Sequence, residues 1–207
     1  MKDLLVYVAD ADALAFLRAI LQRHQALGIR PVTFDIEWHP QRDAGMVQSG
    51  AELVRMKKGR YHKALLMWDH HGSGRDHRQA PHLVAQDIQG KLDSFTWSGN
   101  SSVTVLVPEL EQWLWFCENA VAAHCGITQV QLDQWVQERS LKLGKTADAM
   151  KQQQPKELFE HIMRERIKRT ISPHDFDEIG QRASVNALLA CDSFGAIALT
   201  LRAWFND

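Results

Sequence analysis

With 207 residues, 45% hydrophobic and 24% charged, the chain has an ordinary globular composition and enough length for one substantial core. A formal charge of −1 excludes a whole-molecule attraction to nucleic acid or anionic membrane, leaving only local patches for such contacts. No apolar run approaches the ~18 residues of a membrane span, and the first residues carry no signal-like apolar stretch. Cys117, Cys125 and Cys191 form no C-x-x-C pair and read as free thiols of a reducing compartment, so a cytoplasmic protein without a membrane partner is expected.

Residues 4–8 form a short apolar run with strand character. Leu14, Leu17, Ile20, Leu21 and His24 follow at helical spacing, Gly28 ends that helix, and Pro31 opens the next segment. There Val32, Phe34 and Ile36 alternate with polar residues, which predicts a half-exposed strand near a sheet edge. Residues 50–58 read as a short helix stopped by Gly59, and 64–68 as a buried strand. Residues 81–92 have the early proline of a helix, and 103–107 are a β-branched run. The order β-α-β-α-β-α-β predicts a mainly parallel sheet with helices on both faces. Beyond Glu109 the pattern is helical: Leu110, Trp113, Leu114 and Cys117 share a stripe, and Thr128 caps a segment with Val130, Leu132, Trp135 and Val136. Pro155 precedes Leu158, Phe159, Ile162 and Met163, and the chain closes with Phe194, Ile197, Leu201 and Trp204 at helical spacing. Residues 142–154, polar and ending in three glutamines, are predicted to be an exposed loop. The expectation is an α/β core over 1–108 with an all-helical layer over 109–207, packed as one unit.

The most informative stretch is ALLMWDHHGSGRDHR, residues 64–78, in which a buried strand stops at Asp69 and enters a glycine-rich loop. Open α/β sheets build their sites at such strand C-termini. Two further strand-like runs end in acids: Asp10 and Asp12 after the first, Glu109 and Glu111 after the last. Three carboxylate-bearing ends could converge on one hard cation such as Mg²⁺. Each acid also has a plain structural explanation. Asp69 can cap the Gly72-Ser73-Gly74 turn, Asp12 can be the N-cap of a helix starting at Ala13, and Glu109 and Glu111 can face a helix dipole. His70 and His71 point opposite ways in extended chain, whereas Asp69 and His71 share a side and could share a metal or a water. Their spacing matches no zinc pattern. Residues 72–75 could cradle a phosphate but lack the P-loop lysine. Arg55, Lys57, Lys58, Arg60 and Lys63 form a local basic cluster, either a nucleic-acid patch or a solvated helix end. There is no G-x-S-x-G elbow, and no cysteine has a neighbouring base. Trp113, Trp115, Phe116, Trp204 and Phe205 fit helix–sheet packing, and any exposed member would mark a partner surface.

Four landmarks carry a resemblance: LLVYVADADALAFLRAIL, LLMWDHHGSGRD, VLVPELEQWLW and ASVNALLACDSFGAIALTLRAWF. In this order and spacing they resemble the small bacterial Toprim-like proteins found beside phage-defence genes, including those of methylation-associated defence systems. The resemblance spans most of the chain. It implies a Toprim-like fold in which a strand-one glutamate and a strand-three D-x-D hold Mg²⁺ for phosphodiester chemistry. Here the glutamate position is Ala9, with Asp10 and Asp12 as substitutes, and the D-x-D reads Asp69-His70-His71. Glu109 and Glu111 match the family's PELE motif. Two roles follow from it. In one, a degenerate Toprim-like subunit serves as adaptor, regulator or nucleic-acid-binding component for ATPase, methyltransferase or nuclease partners of a defence operon. In the other, an Mg²⁺- or Mn²⁺-dependent nuclease acts on DNA or RNA. For the nuclease, Asp69, His71 and Glu109 are the catalytic candidates, Asp10, Asp12, Asp69, Glu109 and Glu111 the metal ligands, and Lys57, Lys58, Arg60, Lys63 and Arg75 the phosphate contacts.

Overall fold

A computed structural model describes residues 1–206. Four strands form one all-parallel sheet in the order β2-β1-β3-β4: β1 (Lys2–Val8), β2 (Phe34–Trp38), β3 (Tyr61–Asp69) and β4 (Ser101–Leu106). The arrangement is α/β, with helices on both faces of the sheet, and is consistent with a Toprim-like fold. As the alternation predicts, β2 is a half-exposed edge strand.

The period of two along the central strands creates two cores. Leu4, Val6, Val8, Leu65 and Met67 face one side, packed by α1 (Ala11–Leu21). Leu5, Tyr7, Leu66 and Trp68 face the other, covered by α3 (Arg42–Arg55) and α4 (Pro81–Leu92). A one-turn helix, α2 (His24–Leu27), ends at Gly28 in the left-handed conformation, which leads the chain from α1 into β2.

The first core is the larger because the C-terminal helices extend it. A 3₁₀ helix over Leu110–Phe116 leads into α5 (Glu118–Cys125), α6 (Gln129–Lys142), α7 (Ala147–Gln153) and α8 (Pro155–His161). A π-helical turn over Ile162–Arg166 then precedes α9 (Pro173–Arg182), α10 (Val185–Leu188) and α11 (Asp192–Phe205). Trp113 is fully buried between Phe16 of α1 and Phe194 of α11, with ring centroids at 5.6 and 5.2 Å. Arg23 reaches across to the Gly180 and Ala183 carbonyls at 2.9 and 2.6 Å, tying the end of α1 to the end of α9. One apolar core therefore runs through residues on both sides of position 108.

Two expectations are corrected. The predicted loop over 142–154 contains α7, whose start is capped by the Thr146 side chain and which is anchored by the buried Met150. A helix with so few apolar positions leaves no periodicity to read. The helix placed at 50–58 instead spans Arg42–Arg55, because Met46, Val47, Ala51 and Val54 make the buried stripe that Gly45 and Gly50 obscure in the sequence. Among the described residues no helix is long and apolar enough to cross a membrane, and all three cysteines are free.

The α1–α9 contact depends on a missing side chain. A Cβ on Gly180 would lie 3.0 Å from the Ala19 Cβ and 3.1 Å from the Phe16 carbonyl oxygen, neither of which can yield without moving α1. Gly180→Leu is expected to destabilise the fold by about 1–3 kcal/mol through overpacking, measured as a lower urea midpoint. A midpoint equal to that of the wild type would show that the two helices separate freely.

Candidate metal centre

The chain runs outward from the sheet centre in both directions, β1 to β2 on one side and β3 to β4 on the other, so the crossover helices α1 and α4 leave on opposite faces. The crevice between the C-terminal ends of β1 and β3 is the switch point at which open α/β sheets bind ligands. Asp69 ends β3 at this crevice. Its Oδ1 accepts from the Leu110 backbone N–H at 2.9 Å, and its own N–H donates to Asp43 Oδ1 at 2.9 Å. Asp69 thus fastens the start of the helical layer to the sheet and does not cap the glycine turn. That turn is held by Asp76, which accepts from the Gly72 N–H, and by Ser73, which accepts from the Arg75 N–H.

Asp69, Glu109 and Glu111 each bring a carboxylate oxygen within 4.8 Å of the other two. Glu109 immediately precedes the 3₁₀ helix and Glu111 lies in its first turn, so the Leu110 hydrogen bond to Asp69 sits between them. Asp10 and Asp12 are adjacent but outside this trio. Asp10, not Asp12, is the N-cap of α1, its Oδ1 accepting from the Ala13 N–H at 3.0 Å. Ala9, at the family's glutamate position, is buried just past the end of β1 and offers no ligand.

The electrostatics express this crowding. Desolvation raises the Asp69 pKa well above the usual carboxylate value, reinforced by Asp43, Glu111, Asp10 and Glu109. Glu111 is pushed up to about 7, first by burial and then by Glu109 and Asp10, although Lys156 opposes the shift. Asp12 is raised to about 6 by burial and by Asp10. Burial also raises Asp43 and Glu109. Lys156, at the start of α8, has its Nζ 3.9 Å from Glu111 Oε1. Burial alone would lower its pKa, but Glu111, Glu109, Asp69 and Asp10 together hold it above the usual lysine value. Arg42 gives further positive charge near Asp12.

Asp43 and Lys156 belong to this centre, and the sequence did not point to either. Asp43 looks like an ordinary acid in a helix's first turn, and Lys156 lies 87 positions beyond Asp69, after a glutamine run. His71 is exposed and outside the trio, though close enough to Glu109 to oppose the rise of that acid's pKa.

The proposed phosphate contacts at 57–63 lie elsewhere. They precede or open β3, and Tyr61 to Asp69 at ~3.3 Å per residue spans roughly 26 Å. Lys57 pairs with Glu37 at 2.8 Å, and Lys58 donates to the Thr96 carbonyl at 2.6 Å over the Trp97 ring. Lys63 donates to Gly99 and Asn100, and Arg60 sits beside Asp35 and Tyr61. Arg75 is engaged by Gln79 and Asp87, each at 3.0 Å. Trp113 and Trp115 are buried and spend their indole N–H groups on Ser193 and Pro155, and Phe205 is buried too, whereas Phe116 is exposed. His174, Asp177 and Glu178 form a second close group on α9, but Glu178 already pairs with Arg182.

No protein-family model, curated protein or solved structure matches this chain.

Because Glu111 moves from an ordinary 4.5 to about 7 on folding, the native state holds its proton more tightly than the unfolded chain. Its contribution to metal-free stability is therefore lost as pH rises from about 4.5 through about 7. Glu111→Gln is expected to stabilise the metal-free protein at pH 8 by on the order of 3 kcal/mol and to be nearly neutral at pH 4.5. Urea melts at both pH values check this, and an equal effect at each would remove the electrostatic account.

Proposed function

We propose that this chain is a Toprim-like subunit of a bacterial phage-defence system that uses a divalent cation to act on phosphodiesters of nucleic acid. One observation carries the proposal: Asp69, Glu109 and Glu111 meet at the strand-order switch point with their ligand oxygens within 4.8 Å. The donors are all carboxylate oxygens, with no thiol or imidazole among the three, which suits Mg²⁺ or Mn²⁺ better than zinc. A divalent ion held there supplies Lewis acidity and acidifies a bound water. Asp43 holds the strand end through the Asp69 N–H, and Lys156 stands where it can meet a phosphate oxygen. His71, exposed at the rim near Glu109, is placed to exchange a proton with solvent. The acid that the family places at Ala9 is replaced in this reading by Asp10 and Asp43, both of which reach the same crevice electrostatically. Partner subunits of ATPase, methyltransferase or nuclease type would supply the trigger.

Lys156 favours a second reading, in which the subunit only binds. An ammonium among carboxylates can serve as the permanent counter-ion, leaving a metal-free adaptor.

Calorimetric titration of Mn²⁺ and Mg²⁺ separates the two. Saturable binding is expected for the wild type, weakened more than about 100-fold by Asp69→Asn, since loss of even an outer-shell partner costs about 10–100-fold. Cleavage of DNA or RNA by the wild type should need the ion and vanish in the same variant. If folded wild-type protein binds neither ion, the catalytic reading falls. Lys156→Met gives an independent check: a drop in melting temperature at pH 8 that Mn²⁺ restores supports the metal centre, whereas a drop that Mn²⁺ leaves unchanged supports the adaptor.

A further inference from the structure

On α6, Trp135, Arg139 and Lys142 occupy positions i, i+4 and i+7 and so share one stripe. His161 at the end of α8 and Arg166 in the π-helical turn come up against it. The Arg166 guanidinium lies over the Trp135 ring, 5.7 Å from its centroid, and pairs with Glu138 at 2.6 Å. Arg139 and Lys142 have no ion-pair partner among the described residues, and the Arg139 Nε is shut off from solvent without an acceptor. Burial lowers the His161 pKa, and Arg139, Arg166 and Lys142 lower it further against the opposing charge of Glu165. Of the nearby acids, Glu160 is engaged by Arg164 and Glu165 by Lys168, whereas Glu157, one turn before His161 on α8, has no ion-pair partner among the described residues. Arg139 and Lys142 are thus the cations of the patch without a carboxylate partner among the described residues, in contrast to the cluster at 57–63, whose donors are mostly committed within the protein.

We propose that Arg139, Lys142, His161 and Arg166 form a track for the sugar–phosphate backbone of a nucleic acid, leading it along α8 to the carboxylate centre. α8 joins the two places, with Lys156 near its start and His161 at its end, about five residues or roughly 8 Å apart along the axis. A strand carrying one charge per ~3.4 Å covers that interval with a few phosphates. Arg139 offers a planar fork that matches phosphate oxygens, Lys142 offers a mobile point charge, and Arg166, held by Glu138 over the Trp135 ring, adds positive charge beside them. The destination of the track rests on the metal-centre reading, but binding to the track does not.

The test is fluorescence anisotropy of a labelled oligothymidine with the full-length protein in EDTA, across a salt series. The Arg139→Gln/Lys142→Gln variant is expected to bind at least about tenfold more weakly at low salt. Its slope of log affinity against log salt should be shallower by about 1–1.5, corresponding to two lost single-strand contacts. Mn²⁺ binding and melting temperature should stay at the wild-type values. Asp69→Asn should keep oligonucleotide binding while losing Mn²⁺ binding, so failure of the metal centre and failure of the track are read separately. Lys142→Glu, an exposed change, serves if the double variant folds poorly, and should weaken binding on its own. Unchanged affinity and slope in these variants, or no binding by the wild type at low salt, would overturn the track. Polyglutamate competing as well as unlabelled oligothymidine would overturn the nucleic-acid assignment in favour of an acidic protein partner.

Discussion

Because β1 hands its crossover to β2 and β3 hands its own to β4, the chain must part at the sheet centre, and the gap left there is where Asp69 ends its strand. Nearly everything around the centre refers to this one residue. Its amide is held by Asp43 from one helical layer, and its carboxylate holds Leu110 at the entry to the other. Those two hydrogen bonds fix the start of the 3₁₀ helix against the sheet, and with it the positions of Glu109 and Glu111 on either side of Leu110. The position that a fold built only for stability would fill with a neutral acceptor is occupied by an acid surrounded by acids.

That choice has an electrostatic cost which the protein carries openly. Carboxylates at Asp10, Asp12, Asp43, Asp69, Glu109 and Glu111 are opposed chiefly by Lys156 and Arg42. Repulsion of this kind is relieved by protons or by a cation, and burial together with the neighbouring acids raises Glu111 and Asp12 toward the first route. The proposed function assigns the second route to a divalent ion, and the proposed track places compensating positive charge at the far end of α8.

Much of the frame was legible because it rests on short-range pattern. The apolar runs at 4–8 and 64–68 are buried on both faces, and the alternation at 32–36 marks a half-covered edge. Asp69, Glu109 and Glu111 could be named because Asp69 closes β3 and the two glutamates come soon after the end of β4. Asp43 and Lys156 could not, since their place in the centre comes from tertiary packing: Asp43 through the amide of a strand 26 positions later, Lys156 through the seating of α8. The basic cluster at 57–63 drew attention by its density, yet density along the chain says nothing about which end of a strand it occupies. Residues 135–166 look unremarkable because their cations are spread over two helices and meet only when those helices pack.

The two cores on either side of the sheet are unequal, and the centre draws on both: Asp43 comes from the thinner layer of α3 and α4, while Glu109, Glu111 and Lys156 come from the thicker helical one. Local opening is favoured where fewer apolar contacts must be broken, which here is the α3–α4 side. A ligand that binds only when both layers are seated adds its binding free energy to the closing of that side. Occupancy of one small crevice would then set how tightly an entire face of the sheet is held, so the thinner layer could report the state of the centre to whatever protein rests against it.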